Sequence, residues 1–159
     1  MHKLILQMMN CASKDTTRFH LGHVVVHVEN ERTRIYATDG HVLGVFTLKD
    51  LNHGLSVGRY GIPREDISKL KVLGDEYILK PLDVNYPNIE QFFVKGKTFK
   101  CGEFKVGLAL LEKCHKVLGK TAHNGVNFQV HDALSPITLT NCDLFLLCYP
   151  PIERLSTKQ

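Results

Sequence analysis

The stretch ATDGHVLGV at residues 37–45 lies between two segments rich in β-branched and aromatic residues. The segments before the turn, 24–28 and 33–36, and the segment after it, 42–48, carry the residue types that suit a pleated, half-buried strand. The Thr-Asp-Gly triplet supplies a turn, because an Asp side chain bonds nearby backbone and Gly accepts a positive φ. The pattern predicts a tight β-hairpin that places His41 and Leu43 beside a sheet edge. An ordinary Asp-Gly hairpin without a binding role has the same signature.

Composition indicates one globular domain of 159 residues. Apolar residues make up 43% of the chain and charged residues 23%, and the formal charge of +4 permits contact with nucleic acid or acidic partners without requiring it. The sequence has no apolar run long enough to span a membrane. The five cysteines are odd in number and lack short paired spacings, which favours reduced thiols and a cytoplasmic protein.

The chain contains a faint internal repeat. Sliding Lys3 onto Lys105 without a gap aligns seven identical residues and places apolar residues opposite apolar ones elsewhere. The interpretation is one domain over 1–159, with a pseudo-repeat of 2–49 and 104–151 and a connecting segment of 50–103. Shared patterning without duplication would produce the same match.

Each half predicts one helix followed by three strands, which gives an α+β fold of two repeated helix-plus-antiparallel-strand halves. In the connecting segment, Pro81 and Pro87 predict an extended loop over 81–93, because proline cannot donate to a strand ladder. The predicted helices span 2–13, 63–71 and 104–118, and the predicted strands span 23–28, 34–37, 42–48, 58–62, 77–80, 126–131, 137–140 and 144–149.

Separated segments of the chain resemble the bacterial DNA sliding clamp, the β subunit of the replicative DNA polymerase III. Residues 37–43 are similar to its signature hairpin, and DVNYPNIEQF at 83–92 is similar to its aromatic-Pro-Asp/Asn loop. FLLCYPP at 145–151 resembles the last strand of clamps, and GIPR at 61–64 resembles a strand-to-helix junction of the family. The segments occur in the family's order, so the resemblance implies a DNA-clamp-like domain.

The resemblance also implies an apolar pocket that captures short linear peptides of polymerases, clamp loaders and repair proteins. Such a site needs apolar walls and a few orienting polar groups. Filling of the core is the competing explanation for Leu43 and Leu147. The implied pocket residues are Thr38, Gly40, His41, Val42, Leu43, Pro87, Phe92, Leu147, Tyr149 and Pro150.

The chain departs from the family pattern in three respects. A clamp has three such domains and closes a ring as a dimer, whereas this chain joins a first half like the middle domain to a last half like the final one. Val42 stands where a basic residue commonly follows the signature His. Tyr149 and Pro151 replace methionines of the clamp's C-terminal strand, which changes the expected shape of the pocket.

Helices of clamps face DNA with basic side chains, and such contacts with phosphates are independent of sequence and sensitive to salt. Lysines on an exposed helix face also serve solubility alone. One domain cannot encircle a duplex, so DNA binding would call for several copies of the chain. The candidate DNA-facing residues are Lys3, Lys14, Arg18, Lys105, Lys113, Lys116 and Lys120.

The sequence predicts neither a cofactor, a metal site nor catalysis. His20, His23 and His27 lie close together, but no Cys pair or helical His-x-x-x-His motif accompanies them. No nucleophile elbow or P-loop is present. A hydrolase or metal enzyme that uses Asp39 and His41 stays as a weaker alternative.

These observations predict a non-enzymatic, clamp-like protein that binds clamp-binding peptides of DNA polymerase or the clamp loader. It would act as a reduced processivity factor or as a decoy that modulates a host clamp, a role typical of genes carried by phages and mobile elements. The alternative is a homo-oligomeric, DNA-binding ring in which the peptide pocket is vestigial.

Overall fold

The sheet is antiparallel throughout the part of the chain that the computed structural model describes, which comprises residues 1–49, 54–93, 108–118, 127–129, 137–141 and 144–148. Its strands are β1 (His23–Val28), β2 (Thr33–Thr38), β3 (Val42–Leu48), β4 (Gly58–Pro63), β5 (Lys80–Pro81), β6 (Asn127–Gln129), β7 (Ile137–Asn141) and β8 (Leu144–Cys148). Across the sheet their order is β5-β4-β1-β2-β3-β8-β7-β6. The central hairpin of β2 and β3 is therefore flanked by a strand on each side.

One face of the sheet is covered by the described helices α1 (His2–Met8), α2 (Ile67–Leu73) and α3 (Leu108–Leu118). Side chains of a strand alternate between the two faces, so every second residue of β1 to β3 joins this core. None of the described helices is long and apolar enough to cross a membrane. The core includes Ile5 and Met8 of α1, Leu70 of α2, Val117 of α3, and Val24, Val26, Ile35, Ala37 and Val42 of the sheet.

The opposite face is covered by residues 82–93, which we call the covering segment. Its Tyr86 and Ile89 form a second buried cluster with the strand residues that alternate with the first core. The strand members of this cluster are Val25, Tyr36, Leu43 and Val45. The segment bends at Val84, where the Tyr86 N–H donates to the Val84 carbonyl at 2.9 Å. It ends in a 3₁₀ turn over Ile89–Phe92, which Asn88 caps by accepting from the Glu90 N–H group.

The described strands of the two halves have a mirrored order in the sheet. α1 is followed by β1, β2 and β3, and α3 is followed by β6, β7 and β8, and the two sets of strands meet where β3 pairs with β8. The offset that places Lys3 on Lys105 also places β1 over β6, β2 over β7 and β3 over β8.

Several predicted boundaries are wrong. The hairpin tip does not lie at a sheet edge, because β3 pairs with β8 as well as with β2. α1 ends at Met8, since the following chain turns back to be held by Arg64. The strand predicted at 77–80 is reduced to Lys80–Pro81, which pairs with Tyr60 and Gly61. Pro81 is tolerated there because an edge strand leaves one side of its backbone unpaired.

Other predictions are confirmed with small shifts or lie partly outside the described residues. β1 and β3 have the predicted bounds, and β2 and β4 are each longer than predicted. The second predicted helix opens as a 3₁₀ turn over Arg64–Asp66 before α2 begins. The third appears as α3 from Leu108, and its predicted start at 104–107 lies outside the described residues.

Candidate peptide-binding site at the hairpin

The turn between β2 and β3 is held by its own side chains. The N–H groups of His41 and Val42 donate to the Asp39 carboxylate at 3.0 and 2.9 Å. The Gly40 N–H donates to the Thr38 hydroxyl at 3.0 Å. Gly40 has φ +92°, a conformation that favours glycine. The Asp-Gly pair therefore forms the turn that the sequence predicts, and it leaves the His41 side chain exposed.

The helix side of the hairpin is tied to α3 through an ion pair. The second oxygen of the Asp39 carboxylate binds the ammonium group of Lys113. Partial burial alone would raise the pKa of Asp39, but hydrogen bonds from Lys113, Val42 and His41 outweigh it and hold the pKa below its usual value. The carboxylate thus links the turn of one half of the chain to the helix of the other.

The opposite side of the hairpin carries the covering segment. The Thr38 N–H donates to the Tyr86 hydroxyl at 2.9 Å, and the rings of Tyr86 and Tyr36 meet edge to face at 5.8 Å. Burial raises the pKa of the Tyr86 phenol, so the hydroxyl stays protonated. Leu43 belongs to the same cluster, and Phe92 packs against it.

A second ion pair fastens the covering segment to the sheet. The buried Arg34 of β2 binds the carboxylate of Glu90 in the covering segment and, at 2.9 Å, that of Glu29 after β1. The Leu82 N–H donates to the Arg59 carbonyl at 2.9 Å. The covering segment is therefore attached at its start through Leu82, near its middle through Tyr86 and toward its end through Glu90.

The predicted pocket residues do not all lie on one face of the sheet or at one depth. In the ladder, Leu43 stands opposite Thr38 on one side and Leu147 on the other, so residues of β2, β3 and β8 meet at this point. Pro87 and Phe92 are half-buried in the covering segment, and Gly40 and His41 are exposed. Val42 lies in the core under the helices, on the face opposite Leu43. Tyr149 and Pro150 lie outside the described residues.

Leu43 itself has almost no free surface. Only 2% of it is exposed, because the cluster with Tyr86 and Ile89 surrounds it. Among the predicted pocket residues whose burial the structure describes, solvent reaches Phe92 and Pro87 in part and the hairpin tip at Gly40 and His41. We call Phe92 and Pro87 the rim.

A cleft lies beside the hairpin tip on the helix side. It encloses about 590 Å³ between the chain after α1, the hairpin tip and α3. Of the candidate DNA-facing residues, Lys14, Arg18, Lys113 and Lys116 line this cleft, whereas Lys3 is exposed on α1. Lys105 and Lys120 lie outside the described residues.

The described His, Cys, Asp and Glu side chains bear on metal binding and catalysis. Within the described ranges, no three His, Cys, Asp or Glu side chains are placed to hold one metal ion. Asp39 binds the backbone N–H of His41 rather than its ring. Of the cysteines, Cys11 and Cys114 are buried, and burial raises the pKa of the Cys11 thiol to about 12.

The pocket residues inferred from the sequence omit Tyr86 and Ile89. Both lie in the quoted stretch 83–92, and Tyr86 directly precedes Pro87, so an aromatic residue beside the proline was the available signal. The pairing of Asp39 with Lys113 has no local signal, since the two residues are far apart in the chain.

Solved structures with the same arrangement of helices and strands are bacterial clamps. The DNA polymerase sliding clamp of Bacillus subtilis matches with a TM-score of 0.70 and 16% identity over 94% of this chain and 61% of that chain. The DNA polymerase III subunit beta of Borrelia burgdorferi, in complex with a natural product, matches with a TM-score of 0.71 and 12% identity over 98% of this chain and 61% of that chain. The chain has the sliding-clamp fold. A Pseudomonas aeruginosa sliding clamp bound to griselimycin gives a TM-score of 0.70 at 14% identity, over 97% of this chain and 64% of that chain.

The match covers only part of each clamp. The chain spans about three fifths of the length of the clamps it matches. Neither a protein-family model nor a curated protein matches the sequence. The similarity to clamps is therefore a similarity of fold.

Proposed function

We propose that this chain is a non-enzymatic, clamp-like protein that binds short linear peptides of replication proteins beside its central hairpin. The observation that carries the proposal is the meeting of three distant parts of the chain. Leu43 of β3 packs in one cluster with Phe92 of the covering segment, and its ladder partner is Leu147 of β8. These are the segments whose sequences resemble the clamp's peptide site.

The chemistry of the rim suits a peptide with two apolar side chains. Phe92 and Pro87 offer half-buried apolar surface, and the exposed His41 offers a polar group that would orient the peptide backbone. Burying a Leu or Phe side chain contributes about 1.5–3 kcal/mol, from which the cost of ordering the peptide is subtracted. The balance favours a weak, exchangeable partner.

Access to Leu43 depends on the covering segment. Because Leu43 is enclosed with Tyr86 and Ile89, a ligand side chain would reach it only after this segment shifts. Without such a shift, the apolar side chains of the peptide would contact the half-buried surface of Phe92 and Pro87.

Such binding serves either of two roles. As a reduced processivity factor, the protein would hold a DNA polymerase or clamp-loader peptide while contacting DNA. As a decoy, it would occupy the same peptides and so modulate a host clamp. The two roles can be distinguished by adding the purified protein to a primer-extension reaction that contains a clamp. A processivity factor should raise DNA synthesis, and a decoy should lower it.

A second candidate is a homo-oligomeric, DNA-binding ring with a vestigial peptide site. The observation in its favour is that basic side chains gather on the helix side, at Lys14, Arg18, Lys113 and Lys116. Duplex DNA contacts of this kind weaken steeply with salt. Retention of the protein on duplex DNA at low salt, with a mass of several copies, would support this candidate.

The proposed function is tested with a fluorescent peptide of the Gln-Leu-x-Leu-Phe kind. Anisotropy should show saturable binding to the native chain, weakened about tenfold or more in Phe92→Asp, because a charge there loses the apolar contact and is desolvated. Leu43→Asp should abolish binding, but this buried change also threatens folding. Phe92, which is half-buried, gives the cleaner test.

The matched control is Ile78→Asp. Ile78 is 81% exposed between α2 and β5, so the same kind of change there should leave peptide affinity unaltered. Circular dichroism of each variant confirms that it folds. Absence of binding to the native chain at high peptide concentration, or equal binding by Phe92→Asp, would refute the peptide function.

A further inference from the structure

The cleft beside the hairpin tip carries an excess of positive charge. Its lining includes the cationic side chains of Lys14, Arg18, Arg64, Lys113 and Lys116. Three carboxylates also line it, those of Asp15, Asp39 and Glu112. Five cationic groups against three anionic ones leave two positive charges without a counter-charge inside the cleft.

The unbalanced charge lies mainly on two lysines. Lys113 is engaged by Asp39, and Arg64 donates to the backbone carbonyls of Met9, Ala12 and Ser13. Lys14 and Lys116 are exposed, and neither forms an ion pair within the described part of the chain. Their ammonium groups are therefore the best placed in the cleft to bind a carboxylate of a partner molecule.

The cleft and the proposed peptide site share the hairpin. His41 lines the cleft, and Leu43, two residues further along, belongs to the cluster on the opposite face. Two residues of extended chain cover about 7 Å. A peptide bound at this cluster would therefore reach the cleft by passing the hairpin tip.

We propose that the cleft binds an acidic flank of the peptide whose apolar side chains are held beside Phe92 and Leu43. The proposal rests on the proposed peptide function and adds a class of partner to it: an apolar motif with Asp or Glu residues within a few positions. Carboxylates of the flank pair with Lys14 and Lys116, and these charges raise the rate of encounter as well as the affinity.

A peptide suits the cleft better than duplex DNA does. An extended chain can enter a cavity of 590 Å³, whereas a duplex is too wide to enter it and would touch only its rim. Asp39 and His41 of the hairpin line the cleft, so its wall lies beside the place where the apolar motif would end. Binding of duplex DNA in the cleft is the competing hypothesis, and the experiment distinguishes it from binding of a peptide.

The test compares fluorescent peptides that share the Gln-Leu-x-Leu-Phe core. One carries three Glu residues before the core, another carries them after it, and the reference carries Gln at the same positions. At low salt, one acidic peptide should bind the native chain about five- to tenfold more tightly than the reference, and high salt should remove the gain.

Matched variants test whether the gain in affinity for the acidic peptide arises in the cleft. In the double variant Lys14→Glu and Lys116→Glu, the ratio of acidic to reference affinity should fall to about one or below, because the carboxylates now meet like charge. Lys71→Glu changes an exposed lysine of α2 outside the cleft and should keep the native ratio. Circular dichroism checks that each variant is folded.

Three results would overturn the inference. Equal affinity of the native chain for all the peptides refutes the acidic flank while leaving the peptide function intact. A gain that persists in the double variant places the flank elsewhere. If a short DNA duplex displaces the acidic peptides and the protein shows no preference for acidic over reference peptide, the cleft binds DNA instead. Failure of even the reference peptide to bind refutes the proposed function itself.

Discussion

Asp39 joins the two halves of the molecule through its side chain. Its carboxylate accepts from the turn N–H groups of His41 and Val42 and binds Lys113 of α3. Its folded-state pKa lies below the unfolded value of about 3.9, so the ionised group adds stability above that pH. This contribution is lost as the pH falls through the folded-state pKa.

Asp39→Asn should therefore lower the free energy of unfolding by about 1 kcal/mol at neutral pH, because the amide keeps the turn bonds but loses the ion pair. The difference from the native chain should shrink as the pH falls below about 4, where the native carboxylate takes up a proton. Urea denaturation at several pH values measures it. Asp83→Asn, an exposed site in the covering segment, is the control. A difference that is independent of pH would contradict the assigned ion pair.

At the scale of elements, the covering segment is the part on which peptide access depends. Tyr86→Phe removes the acceptor of the Thr38 N–H and leaves that buried donor unpaired. The free energy of unfolding should fall by about 1–3 kcal/mol, and amide exchange at Thr38 should quicken. Tyr60→Phe, which removes a hydroxyl bonded to the Ser56 carbonyl at an exposed site, is the control and should change little. Equal amide exchange at Thr38 in native and Tyr86→Phe proteins would show that the covering segment is held by other contacts.

The elements that local pattern could predict are the strands and the turn. β1 and β3 consist of β-branched and apolar runs that need no distant partner to be recognised, and the Asp-Gly turn has its own chemistry. The contacts that complete the site join residues far apart in the chain. Arg64 binds the carbonyls that follow α1, and Tyr86 binds Thr38, and neither pairing leaves a periodic signal.

The burial of Leu43 also could not be predicted from the sequence. An apolar residue in a strand is compatible both with a binding wall and with a core. Which of these it becomes depends on whether a segment elsewhere in the chain covers it. Here residues 82–93 do so. Pro81 and Pro87 predict an extended loop over 81–93, but no local pattern indicates that this loop packs on Leu43.

At the scale of the whole molecule, the sheet edges bear on whether copies of the chain assemble. A ring built from sheets needs edges that pair between copies, and long flat edges favour such pairing. The edge strand β5 has two residues and includes Pro81, which cannot donate a hydrogen bond to a further strand. β6 at the other edge has three residues. Both edges, as described, are poor templates for pairing.

We therefore expect light scattering after size exclusion to give the mass of a single chain, 18.0 kDa, both alone and with a clamp-binding peptide. The complex should contain one peptide for each chain, because the site at Leu43 and Phe92 is built within one copy. A mass of several copies that bind duplex DNA at low salt would favour the ring instead. Extending β5 with a strand-forming sequence in place of Pro81 should raise the tendency to associate, since that change restores a pairing edge.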